Sequence, residues 1–229
     1  LAFRLLEKIR VEGKETFFLP LDECTEFLKI LAGDKFFELT NRTKRSDILA
    51  IHIDENTVVF KVIEVKCYGL LGNIENPPDF GARVNEDAVE QLAASHTLLE
   101  AVLDEWSGRN READGFLAAN ALALLLETAM RLSRSGVSNE AAATKLLENI
   151  LDCKVKLEVD EPFLALFYLS NDEADFRIER GIRDPERLGI QCHTELIANP
   201  IEVFRILSTT TDDSLDDFKQ AFSVFNITK

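Results

Sequence analysis

Two β-rich runs separated by a short polar segment constrain the fold of this chain more than any other feature. The first run covers residues 46–53, and the second, residues 58–66, has the β-branched side chains and the length of a central strand. The segment between them, Asp54-Glu55-Asn56-Thr57, has the composition of a turn. We therefore predict an antiparallel hairpin in which Ile53 pairs with Val58.

The register of this hairpin brings two carboxylates together. With a four-residue loop, or with a two-residue turn at Glu55-Asn56, Asp47 lies directly opposite Glu64, whereas loops of three or five residues would not give this pairing. Opposed side chains on neighbouring strands are about 4.5 to 5.5 Å apart at Cβ and share a face. Because side chains alternate along a strand, Lys66 shares that face with Glu64.

Two opposed carboxylates beside an ammonium group have the chemistry of a metal site. Like charges that face each other across a ladder are destabilising, and unless they are exposed or protonated they require a cation. Paired oxygen ligands suit Mg²⁺ or Mn²⁺, which keep water in their remaining positions. Such an ion activates a bound water and neutralises a phosphate oxygen, while the lysine can orient that water and stabilise the developing charge.

The motif formed by Asp47, a spacer of 16 residues and Glu64-Val65-Lys66 resembles that of the PD-(D/E)xK nuclease superfamily. In that family the motif lies on neighbouring strands of a mixed sheet flanked by helices, the restriction-endonuclease-like fold. The resemblance implies that Asp47 and Glu64 bind the metal together with the Val65 carbonyl. It also implies that Lys66 serves the attacking water.

The specific resemblance covers roughly residues 15–105, and further features of the family have candidate counterparts in the chain. Some members add a glutamine from the helix after the motif, for which Gln91 is suitably placed, and some a glutamate from the first helix, for which Glu7 is the candidate. Asp47 follows Ser46, where many members have proline. Residues 45–49 and 63–67 also resemble nuclease segments attached to ATP-driven proteins of bacterial DNA-defence systems, including phosphorothioation-linked restriction systems.

Apolar periodicity predicts the elements around this hairpin. A helix is expected from about Asn85 to Trp106, followed by a polar segment at residues 107–114 that is a candidate boundary. The sequence also predicts helices at residues 1–10, 116–133 and 139–151, a loop at 69–83, and strands at 154–159, 163–169, 175–179 and 188–192. A short extended run at residues 16–19 and short helices at 22–28 and 200–207 are further expectations. The helix at residues 116–133 is apolar almost all round, which predicts that it is buried.

These elements define an α/β fold with a mixed central sheet flanked by helices. We expect a restriction-endonuclease-like core over residues 1–110 and an accessory α+β extension, helices and then strands, over residues 111–229. The chain opens without Met in an apparent helix, so we expect it to be a piece of a larger or processed protein. No segment has the roughly 18 uncharged apolar residues of a membrane helix, and four dispersed cysteines favour a reducing cytoplasm.

These features together predict a DNA endonuclease that hydrolyses phosphodiester bonds with Mg²⁺ or Mn²⁺, as a module of an ATP-driven restriction or antiviral defence assembly. The net charge of −15 is unusual for a protein that grips DNA alone, so an ATPase or translocase domain or subunit is the expected partner. No membrane partner is expected, and a homo-oligomer is compatible with the sequence.

Two other interpretations remain open at this point. The chain could be a catalytically inactive nuclease-like module that docks an ATPase or another subunit. Alternatively, the hairpin could be a sheet edge on which Lys61, Glu64 and Lys66 are solvated charges. His52 lies on the face of its strand opposite to Asp47, and His96 lies on an apolar helix stripe, so both are expected to be structural.

Overall fold

A mixed β-sheet with helices packed against it organises the chain in a computed structural model. The structure describes residues 6, 15–40, 45–71, 86–108, 113–132, 140–170, 176–181 and 192–198. The strands are β1 (Glu15–Pro20), β2 (Ile48–Asp54), β3 (Thr57–Leu71), β4 (Lys156–Val159), β5 (Phe163–Ser170), β6 (Phe176–Gly181) and β7 (Cys192–Ala198). The helices are α1 (Thr25–Ala32), α2 (Lys35–Thr40), α3 (Glu86–Gly108), α4 (Ala113–Leu132) and α5 (Glu140–Leu151), with a 3-10 turn at Leu21–Cys24.

The predicted hairpin is confirmed, with its register. Strands β2 and β3 are antiparallel, Ile53 pairs with Val58, and Asp54 pairs with Thr57, which leaves a two-residue turn at Glu55-Asn56. Glu55 has a φ of 50°, a left-handed backbone conformation that costs free energy for residues other than glycine. At the other end of the ladder Ile48 pairs with Ile63, so Asp47 lies one residue before the start of β2.

Strand β3 is the centre of the sheet. Within the described residues the strand order is β1-β2-β3-β5-β7-β6, and β4 also pairs with β3. Strands β4 and β5 are both parallel to β3: β4 lies beside its first residues, and β5 lies beside the segment that begins at Ile63. Because β1 and β2 are antiparallel to their neighbours, the sheet is mixed, and the predicted α/β class with a mixed, helix-flanked sheet is confirmed.

The hydrophobic core lies between one face of the sheet and the helices. Alternate strand residues face it, among them Phe17 of β1, Ile51 of β2 and Phe60 of β3, and they form one buried cluster with residues from all five helices. The opposite face is also buried at residues such as Ala50 and Ile63. Buried faces on both sides account for the continuous apolar sequence of β3.

Both halves of the described chain share this sheet and this core. Strands β4, β5, β6 and β7 all follow residue 110, and β5 pairs directly with β3. The polar segment at residues 107–114 connects α3 with α4, and both of these helices belong to the same buried cluster.

Two sequence expectations differ from the structure. Strand β3 continues to Leu71 rather than ending near Lys66, so Gly69 lies in a strand and not in the predicted loop. The prediction that the helix near residues 116–133 is buried holds for one side only, because α4 exposes Phe116, Leu117, Leu124 and Leu132. The other apolar residues of α4, many of them alanines, lie on the opposite side of the helix and pack into the core.

Helix α4 also meets a simple criterion for crossing a membrane. Among the described residues, Gly115–Leu132 is the one segment that is long and apolar enough, although the core helix of a soluble protein passes the same test. In this fold 50% of that segment is buried inside the protein. The predicted segments at residues 1–5, 7–10, 72–83, 188–191 and 200–207 lie outside the described residues.

Candidate metal centre

Asp47 is fixed at the point where the chain enters β2. Its main-chain carbonyl accepts a hydrogen bond from the Leu21 N–H at 3.0 Å. Its carboxylate Oδ2 accepts a hydrogen bond from the Val65 N–H at 2.9 Å. The Asp47 side chain thereby accepts a hydrogen bond from β3 just beyond the point where the β2–β3 ladder stops. Its exposed carboxylate lies against β3, beside Glu64.

Glu64 is the buried member of the carboxylate pair. It lies on the face of β3 that packs against the helices, and only 1% of the residue is exposed. The Lys66 Nζ is 2.6 Å from Glu64 Oε1, so the ammonium group forms a close ion pair with the buried carboxylate. A buried carboxylate is costly unless it is paired, and one ammonium group at Oε1 leaves lone pairs on Glu64 that a metal ion could use.

The surroundings of Glu64 favour its protonated form when no cation is bound. Burial raises the pKa of Glu64 to about 7, and the charge of Asp47 contributes in the same direction. The Lys66 ammonium and a hydrogen bond from the Asp47 main chain oppose this rise in the pKa but do not cancel it. A metal ion at this position would compete with a proton for the same oxygen atoms.

Lys66 and Gln91 complete the group of predicted site residues. The Lys66 Nζ donates a hydrogen bond to Gln91 Oε1 at 3.2 Å, which joins β3 to α3. The Lys66 side chain is 26% exposed, so the ammonium group reaches from buried Glu64 towards the surface. The structure therefore brings together Asp47, Glu64, Lys66 and Gln91. They lie near the start of β2, next to the helical layer.

The position of the Val65 carbonyl follows from strand geometry. In an antiparallel pair, a residue directs both its N–H and its C=O towards the same neighbouring strand. The Val65 N–H points to the Asp47 carboxylate, so the Val65 carbonyl is directed to the same side of β3, where the ladder with β2 has ended. A main-chain oxygen thus lies on the side of β3 that carries Asp47.

The donor set fits a hard divalent cation that retains water. Two carboxylates and a main-chain carbonyl are the oxygen ligands that Mg²⁺ and Mn²⁺ accept, with water in the other positions. The described residues contain no group of three or more His, Cys, Asp or Glu side chains that could hold a metal ion. Glu7, the candidate third acid, lies outside the described residues.

Sequence reasoning missed two serines that connect the site to the helical layer. The Ser46 N–H donates to Ser95 Oγ at 2.8 Å, and the Ser46 Oγ donates to the Gln91 carbonyl at 3.3 Å. The available signals were a serine in place of proline before Asp47, and a serine one helical turn after Gln91. Neither signal points to the other, because the two serines are 49 residues apart in the chain.

The other singled-out polar residues lie away from this centre. His52 is buried on the opposite face of the sheet and bonds to Thr16 Oγ1 through Nδ1 at 3.0 Å, as expected for a structural histidine. His96 lies 3.6 Å from Glu100 on α3, and a quarter of its side chain is exposed. Lys61 is not a solvated charge, because its side chain is buried and its Nζ pairs with the half-buried Asp160 at 2.9 Å.

A groove of about 800 Å³ lies elsewhere on the molecule, and none of the site residues is among its described lining. It runs between the end of α3, the start of α4 and β4. Its wall includes Trp106, whose Nε1–H donates to the Val155 carbonyl at 3.1 Å.

Comparisons of this chain with known protein families, with curated proteins and with solved structures found no match.

Proposed function

We propose that this chain is a divalent-metal-dependent nuclease module that hydrolyses phosphodiester bonds in DNA, with a restriction-endonuclease-like core. The observation that carries the proposal is the buried Glu64 carboxylate, which lies beside Asp47 and pairs with Lys66, while Lys66 also bonds to Gln91. This juxtaposition agrees with the motif that resembles the PD-(D/E)xK superfamily.

The proposed roles follow from the position of each group. Asp47, Glu64 and the Val65 carbonyl would hold Mg²⁺ or Mn²⁺, which activates water and neutralises charge on the scissile phosphate. Lys66, held by Glu64 and Gln91, would orient the attacking water and stabilise negative charge at the phosphate. Its partial exposure leaves the ammonium accessible to a substrate.

The charge of the chain supports the proposal that another component holds the DNA. A net charge of −15 opposes the phosphate backbone, and Arg45, the described member of a basic cluster at residues 42–45, is engaged with Thr25 and Asp22. We therefore propose a cytoplasmic assembly in which an ATPase or translocase domain or subunit supplies the DNA-binding surface.

Cleavage of supercoiled plasmid in low salt with Mg²⁺ or Mn²⁺ tests the proposal. We expect Asp47→Asn and Glu64→Gln to lower the cleavage rate by about 100-fold or more, because each removes a charged ligand. Asp152→Asn is the matched control, since Asp152-Cys153-Lys154 has the same acid and lysine spacing on an exposed turn. Equal cleavage by the wild type and both site variants rejects the proposal.

The exposed apolar side of α4 favours a second candidate, an inactive module that docks a partner protein. Phe116, Leu117 and Leu124 are each more than half exposed on this helix. The melting temperature in millimolar Mn²⁺ discriminates between the two candidates, because an ion that binds only the folded state raises the stability of that state. The nuclease proposal expects a gain that Glu64→Gln abolishes, whereas a pure docking module shows no gain.

A further inference from the structure

We propose that the hydrogen bond between Ser46 and Ser95 positions the candidate metal centre. This inference rests on the proposed function, because it assigns a role to two residues that do not themselves touch metal or substrate. Both serines are almost completely buried, with Ser46 3% exposed and Ser95 2% exposed. The bond from the Ser46 N–H to Ser95 Oγ is 2.8 Å long.

Each end of this hydrogen bond is adjacent to a site residue. Ser46 directly precedes Asp47, and the main-chain position of Ser46 determines where the Asp47 carboxylate meets β3. Ser95 lies four residues after Gln91, so both project from the same side of α3. The second bond, from Ser46 Oγ to the Gln91 carbonyl, attaches the same point of the chain to the same helical turn.

The two bonds therefore fix the position of α3 relative to the start of β2. Gln91 Oε1 reaches Lys66 Nζ only if α3 lies at the correct height along β3. Asp47 reaches the Val65 N–H only if the chain enters β2 at the correct point. One buried contact between Ser46 and Ser95 sets both distances, and it links the helical layer to the pair of carboxylates.

A proline at position 46 could not make this contact, because proline has no N–H. The Ser95 contact therefore requires a residue other than proline at position 46, and the bond to the Gln91 carbonyl requires the Ser46 hydroxyl. Ser46→Pro and Ser95→Ala break the same bond from its two ends. Ser46→Pro also removes the bond from Ser46 Oγ to the Gln91 carbonyl. The loss in the double variant should still be smaller than the sum of the two single losses, because the shared bond is lost only once.

The test measures Mn²⁺ affinity and the Val65 amide proton resonance in the full chain. We expect Ser95→Ala and Ser46→Pro to weaken Mn²⁺ binding about 10- to 100-fold, the effect of losing an outer-shell contact. Both should shift the Val65 amide resonance upfield, because the bond to Asp47 lengthens. Ser95→Thr keeps the hydroxyl and should retain most of the affinity.

Ala101→Gly is the control for a general loss of stability. It weakens the same helix at another buried position, about ten residues from Gln91, and should change neither Mn²⁺ affinity nor the Val65 resonance. If Ser95→Ala and Ser46→Pro behave like Ala101→Gly in both measurements, the positioning role is wrong. If Ser95→Ala does not fold, Ser46→Pro decides the same question from the strand side.

The two readouts separate this inference from the proposed function. A wild-type protein that binds no Mn²⁺ and cleaves no DNA rejects the nuclease proposal. The Val65 resonance still reports, in that case, whether the serine pair holds Asp47 in place. Mn²⁺ binding and cleavage by the wild type, with an unchanged Val65 resonance and unchanged affinity in both serine variants, rejects the positioning role alone.

Discussion

Glu64 is a carboxylate in a position that folding alone would give to an apolar side chain. Its neighbours along the same face of β3, Phe60 and Val62, are fully buried and contribute to the core. A glutamate there loses its hydration, and the Lys66 ammonium nearby compensates only in part. The residue therefore costs stability in the metal-free protein, which is typical of groups retained for chemistry.

The first prediction concerns the pH dependence of this cost. The folded protein holds the pKa of Glu64 at about 7, above the reference value of 4.5, so the folded state binds the proton more tightly than the unfolded chain. Protonated Glu64 therefore stabilises the folded state at low pH, and this contribution is lost as the pH rises from about 4.5 to about 7. Relative to Glu64→Gln, the metal-free wild type should lose up to about 3 kcal/mol of unfolding free energy across this range.

Urea unfolding in EDTA at several pH values between 4.5 and 8 measures this difference. Glu64→Gln removes the titrating group and keeps the size of the side chain, so the two curves should diverge with rising pH. Saturating Mn²⁺ should restore the wild type at pH 8 much more than at pH 5.5, because the metal binds the deprotonated carboxylate. A constant difference between the proteins at all pH values contradicts the prediction.

The second prediction concerns the hydrogen bond from Lys66 to Gln91. Gln91→Ala removes the acceptor at 3.2 Å and leaves the ammonium without its contact to α3. We expect the single-turnover cleavage rate at saturating Mn²⁺ to fall about 10-fold, with little change in apparent DNA affinity. The matched control is Glu90→Gln, an exposed neighbour on the same helix. Equal rates for Gln91→Ala and wild type show that Gln91 has no part in catalysis.

At the scale of elements, α4 shows how one helix can be apolar throughout and yet have two different sides. Leu122 is completely buried, whereas Leu124, two residues later, is 52% exposed. Residues two apart on a helix point in nearly opposite directions, so the orientation of α4 decides which leucines contribute to the core. The two leucines form a matched pair of identical side chains on one helix.

The third prediction uses this pair to test the orientation of α4. Leu122→Ala leaves a cavity in the core and should lower the unfolding free energy by about 2 to 5 kcal/mol. Leu124→Ala removes a side chain that is half in solvent and should change it by less than about 0.5 kcal/mol. Thermal or urea unfolding of both variants measures the contrast. Similar losses for the two substitutions would mean that α4 is buried on both sides.

The hairpin and its carboxylate pair were predictable because their determinants are local. Alternation fixes the face of each side chain, and the short turn fixes the register, so Asp47 and Glu64 follow from a stretch of fewer than 20 residues. The orientation of α4 was not predictable, because its apolar residues leave no periodic signal to choose a side. The Ser46–Ser95 contact depends on how α3 packs, which no local pattern specifies.

At the scale of the whole molecule, the sheet joins parts of the chain that the sequence divides. Strand β5 lies between β3 and β7, so the central strand of the predicted core has its parallel neighbour in the predicted extension. Parallel neighbours require a long crossover connection, here through α3, α4 and α5, and no turn signal marks such pairings. The polar segment at residues 107–114 is equally consistent with a domain boundary and with a helix connection inside one core.

The fourth prediction is that both halves unfold together. Trp106 is the single tryptophan of the chain, and its hydrogen bond to Val155 joins α3 to the residues just before β4. Its fluorescence therefore reports the contact between the halves, while far-UV circular dichroism reports all secondary structure. We expect one urea transition with the same midpoint by both probes, because β3 cannot lose β5 without exposing its apolar faces.

A substitution in the second half makes this prediction sharper. Phe163, in β5, is completely buried and pairs with Ile63 of β3, so Phe163→Ala should lower the free energy of unfolding by about 3 to 5 kcal/mol. If the sheet is one cooperative unit, both probes should shift to lower urea by the same amount. A separate extension would give two transitions, with Phe163→Ala moving only one. In that case the carboxylate pair would belong to a core that folds without β5, and the shared sheet would be a weak docking of two independent units.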